Sequence, residues 1–572
     1  MSAPRPPVIW SIAGLDTAGG AGLSADQRAA DALGVHLCPV AACLTAQHSQ
    51  GVQSLHPVSP EVLHAQLQAL ATDLPPRAIK TGLLGDVALI RTVAQWVDHL
   101  RAQAPAGTDP HRHVALVVDP VLKASAGGAA FASEAIVAAY REWLLPRATV
   151  LTPNRHEALA LLRTGTDAHA TLPELAQALA ELAHPGCPAV AITGGDAQAV
   201  GLQQAPDVAT QDDQWAIDWL HTPHAQGWLC APRVPTPHHH GTGCTFASAT
   251  AAALALGHVA ADALTLAKMV TRQALVQGHA AGQGAGPVRA AAAAGTQPFG
   301  PLPWLGIGTA LPWQLGWRDS GEPAGPTLFA PFAPPADGLY GILADHTALQ
   351  AAAEAGVACL QLRHKARAGV EAHIVASAAA CARHGATFFV NDHWDLALDL
   401  LPADAHPTLQ LGLHLGQEDL LALDAAGQAR LRQARHRLRL GLSSHSLWEL
   451  ARAAGCGASL IACGPVQATT TKDMPWLPQG EDNLRWWVGH SPVPVVAIGG
   501  LLTPDDVQRF AACGPATLCV VRGLGHTADE MARLLPPLRQ AVQDGRAASG
   551  ALQPAQPTQV LRAALLHAVL PH

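Results

Sequence analysis

Short apolar runs, each broken by glycine-rich or polar punctuation, set the rhythm of this chain. Val8–Ala13 is apolar, Gly14–Gly22 is a glycine-rich turn, and a helical pattern continues to Leu33, where Gly34 closes it. Runs of similar length recur at Val114–Val118, Thr149–Leu151 and Ala189–Ile192. Alternation of strand, loop and helix predicts a parallel sheet covered by helices. After Gly241–Gly243 an Ala/Leu-rich stretch predicts a long helix over Thr245–Leu256.

The rhythm stops between Gly286 and Gly338. This stretch holds Ala290–Ala294, then Pro301, Pro303, Trp304, Trp313 and Trp317 among many breakers. Its composition predicts an extended tether, while the tryptophans argue that part of it docks on a neighbouring surface. From Gly338 the pattern restarts, with apolar runs at Leu339–Leu343, Cys359–Leu362, Thr387–Val390, Leu411–Leu415, Leu438–Leu442, Leu460–Cys463, Val493–Ile498 and Thr517–Val521. Eight βα units predict a closed (β/α)8 barrel, and nearly every polar motif falls just after one of these strands. The Ala/Gln/Pro-rich tail reads as a terminal helix or fray. The expected division is therefore a first α/β domain over 1–287, a linker over 288–337, a barrel over 338–545 and a tail over 546–572.

Bulk properties narrow the function. Of 572 residues, 49% are hydrophobic and 14% charged, so a substantial core can be buried and disorder cannot dominate. A net charge of -8 without any Lys/Arg block excludes an electrostatic footprint for nucleic acid or an anionic membrane. An anionic substrate must then be held locally, by loop amides, a metal or single basic residues. The 11 cysteines form no C-x-x-C pair and read as reduced thiols. With no basic n-region and no long apolar window, a cytoplasmic chain is expected, with small-molecule partners and a homo-oligomer left open.

Three features of the first half suit phosphate chemistry. The turn Gly14–Gly22 opens a helix, where glycines let backbone approach a ligand. Gly241, Thr242, Gly243 and Cys244 open another, giving loop amides aligned with a helix dipole. Asn154 and Glu157 can approach a hydrated Mg²⁺. His238-His239-His240 reads as a solvated loop, because only Cys244 lies at ligand spacing on the same element.

Together with Asp26, Ala46-Gln47, Lys80-Thr81-Gly82-Leu83-Leu84 and Asp119-Pro120-Val121, these motifs over residues 8–285 resemble the ribokinase-like superfamily, specifically hydroxymethylpyrimidine/phosphomethylpyrimidine kinase. The resemblance implies an α/β/α sandwich and ATP as co-substrate. It places Gly14, Asp26 and Gln47 around the pyrimidine, and Gly241, Thr242, Gly243 and Cys244 at the transferring phosphoryl group. Cys244 stands where sugar kinases carry an Asp base; whether it is a base, or the amides carry the catalysis, stays open. Two departures concern cations. Lys123 lies two positions early, with Ser125 at the usual lysine position, and Thr193-Gly194-Gly195 replaces Lys-Gly-Gly. Lys123 or Lys268 would have to substitute near ATP, or the kinase is slowed.

In the second half Gln361, Arg363 and Lys365 alternate at a strand end, so they share a face and can clamp a diphosphate. Asp392 and Asp419 end adjacent strands and suit a hard Mg²⁺. With Asn391, Ser443, the Thr469–Lys472 run, Gly499-Gly500 and Val521-Arg522-Gly523, this set over 338–540 resembles thiamine-phosphate synthase. The resemblance implies that Gln361, Arg363, Lys365 and Asn391 hold an aminopyrimidine diphosphate, with Ser443 and Lys472 on the diphosphate side. Asp392 and Asp419 would bind Mg²⁺. Thr469, Thr471, Gly500, Val521 and Arg522 would face a thiazole phosphate, Arg522 standing where relatives carry a small Ser. A pyridoxal- or sugar-type kinase in front is disfavoured by Cys244 and Gln47, and a non-catalytic thiazole-binding barrel by the retention of Lys365, Asp392, Asp419 and Lys472.

Overall fold

The computed structural model describes residues 5–105, 113–122, 133–162, 170–183, 189–194, 214–291, 299–318, 325–402, 404, 406–469, 475–549 and 563. They form two compact units, the first reaching Leu311 and the second starting at Pro312.

The first unit is built on a ten-stranded sheet: β1 (Val8–Leu15), β2 (His36–His48), β3 (Gly51–Pro57), β4 (Ala78–Thr81), β5 (Ala115–Val118), β6 (Val150–Leu151), β7 (Ala189–Ile192), β8 (Trp215–His221), β9 (Gln226–Pro232) and β10 (Trp304–Leu305). Their spatial order is β10-β9-β8-β7-β6-β5-β4-β1-β2-β3. The central strands are parallel and fully buried, which is why they read as unbroken apolar runs. The sheet is mixed rather than purely parallel, because β3 at one edge and β8, β9 and β10 at the other run antiparallel. Helix Thr242–Ala255 packs on β1, β4 and β5 and against helix Ala260–Val276. It is apolar on nearly every side, as a helix buried between a sheet and another helix must be.

The second unit is a closed barrel of eight parallel strands: β11 (Leu339–Leu343), β12 (Cys359–Leu362), β13 (Thr387–Asn391), β14 (Leu411–Leu415), β15 (Arg439–Ser444), β16 (Leu460–Cys463), β17 (Val495–Ile498) and β18 (Thr517–Val520). β18 returns to β11 through Leu339↔Leu518. All eight expected runs are strands, with ends moved by two residues or fewer. The interior is packed, with Tyr340, Ile342, Cys359, Phe389, Leu460, Ala462, Val496 and Cys519 in one cluster. The final helix, Ala528–Ser549, runs past the expected barrel end at 545.

Residues 288–337 are divided between the units instead of forming one tether. Trp304–Leu305 adds β10 to the first sheet, and the Trp228 indole donates to Thr309 O at 3.0 Å. On the other side, Trp313 stacks on Trp317 at 3.9 Å, Leu328 N bonds Gly457 O, and Ala330 O accepts from Ser459 at 2.7 Å. Phe332 enters the barrel cluster and meets Phe389 edge-on at 6.0 Å. Aromatic burial here outweighs the Pro/Gly preference for a solvated chain. Phe332→Ala should therefore destabilise the barrel by about 3 kcal/mol. Hydrogen exchange would show faster opening of β11–β18 with β1–β9 unaffected; unchanged protection of the barrel strands would contradict this assignment.

Candidate active sites

In a parallel sheet every strand delivers its C-terminal end to the same edge, so residues far apart in sequence meet there. In the first unit that edge gathers the β1 loop, Gln47, Gly82, Asp119 and the start of helix Thr242–Ala255. Asp26 is completely buried and fully engaged, accepting from Ser11 Oγ (2.6 Å), Ser248 Oγ (2.8 Å) and Lys80 Nζ (3.0 Å). Expected beside the pyrimidine, it presents no exposed surface and is paired with Lys80. That lysine is itself buried and lies 3.7 Å from Asp119. Burial raises the Asp119 carboxyl to about 6; Lys80 pulls it down and Asp26 pushes it up.

The two glycine loops differ from expectation in one respect. The first is not an open anion nest, because Asp16 fills it: its carboxylate accepts from the amides of Ala18, Gly20 and Ala21 at 2.8–3.0 Å. Burial alone would raise the Asp16 carboxyl, but a hydrogen bond from His240 and the amides of Ala21 and Ala18 bring it below its ordinary value. His240 is 4% exposed, with Nε2 2.9 Å from Asp16 and 3.3 Å from Gln47 Nε2. It is thus the link between the two loops and not part of a solvated run; His238 is half-buried and His239 exposed. Among the described residues no group of three or more His, Cys, Asp or Glu is arranged to hold a metal. Gly14 packs on Leu83, and Gln47 is half-buried.

The second loop remains open. Gly241 adopts φ +89, where a side chain would strike Gly20 O. A Cβ on Gly243 would meet nothing within 4 Å, so the helix start is uncrowded there, although Thr242 N is already bonded to His239 O at 3.3 Å. Burial pushes the Cys244 thiol up to about 12, against the pull of Lys80 and with Asp26 and Asp119 adding to the rise. A protonated thiol is a poor base, so the amides and helix dipole carry the anion-binding capacity here. Asn154 and Glu157 cap their own helix: Asn154 N donates to Glu157 Oε2 and Glu157 N to Asn154 Oδ1, both at 2.9 Å. Lys268 Nζ is held 2.7 Å from Asp218, whose other oxygen accepts from Gly194 N. Its charge is neutralised beside the Thr193-Gly194 turn. Lys123 and Ser125 lie outside the described residues.

In the barrel, Gln361 is buried, Arg363 half-buried and Lys365 exposed, a rise from core to mouth along one strand end. Asp392 follows β13 at φ +63, the one described non-glycine residue with positive φ. Strain of this kind persists where surroundings hold it and commonly marks a site. Burial raises the Asp392 carboxyl, nearby Asp419 raises it further, and Arg363 opposes the rise. Asp419 also accepts from Gly416 N at 3.0 Å. Two adjacent carboxylates with a raised member and only oxygen donors fit a divalent hard cation such as Mg²⁺. His414 on β14 is buried beside Arg363, and burial with that charge pushes it down to about 4. Its Nε2 meets Ser443 Oγ at 2.9 Å, and its Nδ1 has no partner. Gly499 and Gly500 both have positive φ, and Gln467 bonds Gly500 O at 3.1 Å. Val521 is half-buried, Arg522 exposed and Thr469 half-buried. Thr471 and Lys472 lie outside the described residues.

The sequence matches the family model described as phosphomethylpyrimidine kinase over residues 16–289, and that described as thiamine monophosphate synthase over 342–524. A probable thiamine biosynthetic bifunctional enzyme, chloroplastic, of Oryza sativa subsp. japonica is 30% identical over 501 residues, covering 86% of this chain and 81% of that protein. The chain belongs to the bifunctional thiamine biosynthetic enzymes. A hydroxymethylpyrimidine/phosphomethylpyrimidine kinase of Synechococcus elongatus is 36% identical over 282 residues, 49% of this chain and 96% of that protein. The crystal structure of an ADP complex of Bacillus subtilis pyridoxal kinase is similar over 50% of this chain, at 27% identity and a TM-score of 0.41. The bifunctional enzyme joins a phosphomethylpyrimidine kinase domain to a thiamine-phosphate synthase barrel.

Asp119 in the kinase domain yields a test. A carboxyl raised in the folded state holds its proton more tightly than in the unfolded chain, so its contribution is present at low pH and lost as pH rises from about 4 to 6. Asp119→Asn should remove that loss. Between pH 4.5 and 7, urea unfolding of the kinase domain should show the wild type losing about 2 kcal/mol relative to the variant. Parallel pH dependences would contradict the assignment.

Proposed function

We propose that the kinase domain phosphorylates 4-amino-5-hydroxymethyl-2-methylpyrimidine and then its monophosphate with ATP. The barrel would join the resulting diphosphate to 4-methyl-5-(2-phosphoethyl)thiazole, giving thiamine phosphate and diphosphate. The observation that carries this reading is the Asp392–Asp419 pair beside Arg363, a site suited to a divalent cation and a polyphosphate together.

In the kinase half, the amides of Gly241, Gly243 and Cys244 receive the oxygens of the transferring phosphoryl group, with Thr242 N held by His239 O, and Gln47 and Gly14 border the pyrimidine. The Asn154–Glu157 cap and the Lys268–Asp218 pair form the rim of the ATP side. In the barrel, Arg363 and Lys365 take the negative charge of the departing diphosphate, joined by Ser443 and Lys472. The electron-rich aminopyrimidine stabilises its methylene carbon as the C–O bond breaks, and the thiazole nitrogen forms the new C–N bond. Mg²⁺ held by Asp392 and Asp419 would supply further neutralisation of the diphosphate. Gln361 and Asn391 hold the pyrimidine, while Thr469, Thr471, Gly500, Val521 and Arg522 surround the thiazole phosphate. The ten described cysteines are all free, which suits a reducing, cytosolic compartment. No described helix is long and apolar enough to cross a membrane.

Full-length protein given the hydroxymethylpyrimidine, thiazole phosphate, ATP and Mg²⁺ should form thiamine phosphate; folded protein that forms none refutes the proposal. The acidic pair has a separate readout. Mg²⁺ should raise the barrel's unfolding midpoint through linkage. Asp419→Asn should abolish that rise and the synthase activity while stabilising the metal-free barrel through lost repulsion. A variant that keeps both the Mg²⁺ response and near-normal synthase activity would remove the metal assignment.

A further inference from the structure

Three side chains inside the barrel form one hydrogen-bonded line. Tyr340 on β11 donates its phenolic proton to Gln361 Oε1 on β12 at 2.6 Å. Gln361 Nε2 in turn donates to Asn391 Oδ1 at the end of β13, at 2.8 Å. The line climbs from core to mouth, with exposures of 1% for Tyr340, 2% for Gln361 and 8% for Asn391.

An amide can turn end for end at little steric cost, so Gln361 and Asn391 alone could run the line in either direction. Tyr340 removes that freedom. Its hydroxyl has one proton, Gln361 is the one hydrogen-bond partner described for it, and a buried O–H without an acceptor is unfavourable. Burial, with Cys359 and Cys519 adding, pushes the phenol well above its ordinary range, so the proton stays on Tyr340. Gln361 must then turn Oε1 inward and Nε2 outward. Asn391 accepts on Oδ1, which leaves its Nδ2 group as the outer end of the line.

We infer that Tyr340 is a positioning residue that sets the hydrogen-bond polarity of Gln361 and Asn391, so that the barrel offers a donor to an unprotonated ring nitrogen of the pyrimidine. This rests on the synthase reading above and gives it a specificity. A 4-aminopyrimidine carries a lone pair on the ring nitrogen next to the amine. Its 4-oxo analogue has almost the same outline but carries N–H at that position. A fixed donor accepts the first and opposes the second, because mismatched buried polar groups discriminate far more strongly than shape.

The test compares kcat/KM of the full chain for the 4-amino and 4-oxo pyrimidine diphosphates, each with thiazole phosphate and Mg²⁺. Tyr340→Phe keeps the ring and frees both amides to turn, so the amino-over-oxo preference should fall about tenfold or more. Loss of packing alone would slow both substrates together and leave the ratio unchanged, and that result in a folded variant overturns the inference. Should Tyr340→Phe fail to fold, Asn391→Asp serves instead: acceptor oxygens at the outer end should move the preference toward the oxo analogue, and an unmoved ratio overturns it equally. A wild type that turns over neither substrate removes the synthase reading, and the inference with it.

Discussion

Two carboxylates held side by side need positive charge between them, and the two units meet that need in different ways. In the kinase domain the cation belongs to the chain. Lys80 sits 3.0 Å from Asp26 and 3.7 Å from Asp119, closed off from solvent, and Asp26 is tied to helix Thr242–Ala255 through Ser248. In the barrel no described lysine is bonded to Asp392 or Asp419, and Arg363 only moderates their repulsion. The first arrangement is complete within the chain; the second would gain stability from a cation arriving with the substrate. Desolvation strengthens the first, since charges interact more strongly away from water, whereas Asp392 is exposed and Asp419 half-buried.

The same contrast governs the backbone amides. Asp16 supplies an internal anion to the first glycine loop and leaves the second free. His240 then braces one against the other by bonding Asp16 from the residue just before Gly241. An occupied nest beside an open one holds the loops in place without competing for the phosphoryl group. The raised Cys244 thiol agrees with this division, because the open amides stabilise an oxyanion without a thiolate beside them.

The barrel was legible in the sequence almost strand for strand, because parallel strands covered on both faces read as separate apolar runs. The kinase sheet was half legible. β2 is interrupted by Pro39 and alternates buried with exposed positions, and β8 and β9 carry tryptophans in an antiparallel hairpin. Neither resembles a buried parallel strand. Candidate site residues carried by local motifs, including Asp392, Asp419, Gln361 and Cys244, could be named from the sequence. Those defined by distant partners were not. His240 looked like one of three loop histidines until Asp16, 224 positions away, came beside it. Tyr340 looked like core until Gln361 took its proton. In residues 288–337 the tryptophans signalled docking, but composition could not show which residues attach to which unit.

The account turns on the barrel's acidic pair being a cation site that works together with diphosphate. A crystal structure of the full chain with the aminopyrimidine diphosphate and Mn²⁺ in place of Mg²⁺ addresses it directly. An anomalous peak should lie between the carboxylates of Asp392 and Asp419, with diphosphate oxygens completing its coordination beside Arg363. Diphosphate bound in the barrel with the metal elsewhere, or with neither carboxylate as a ligand, would contradict the account.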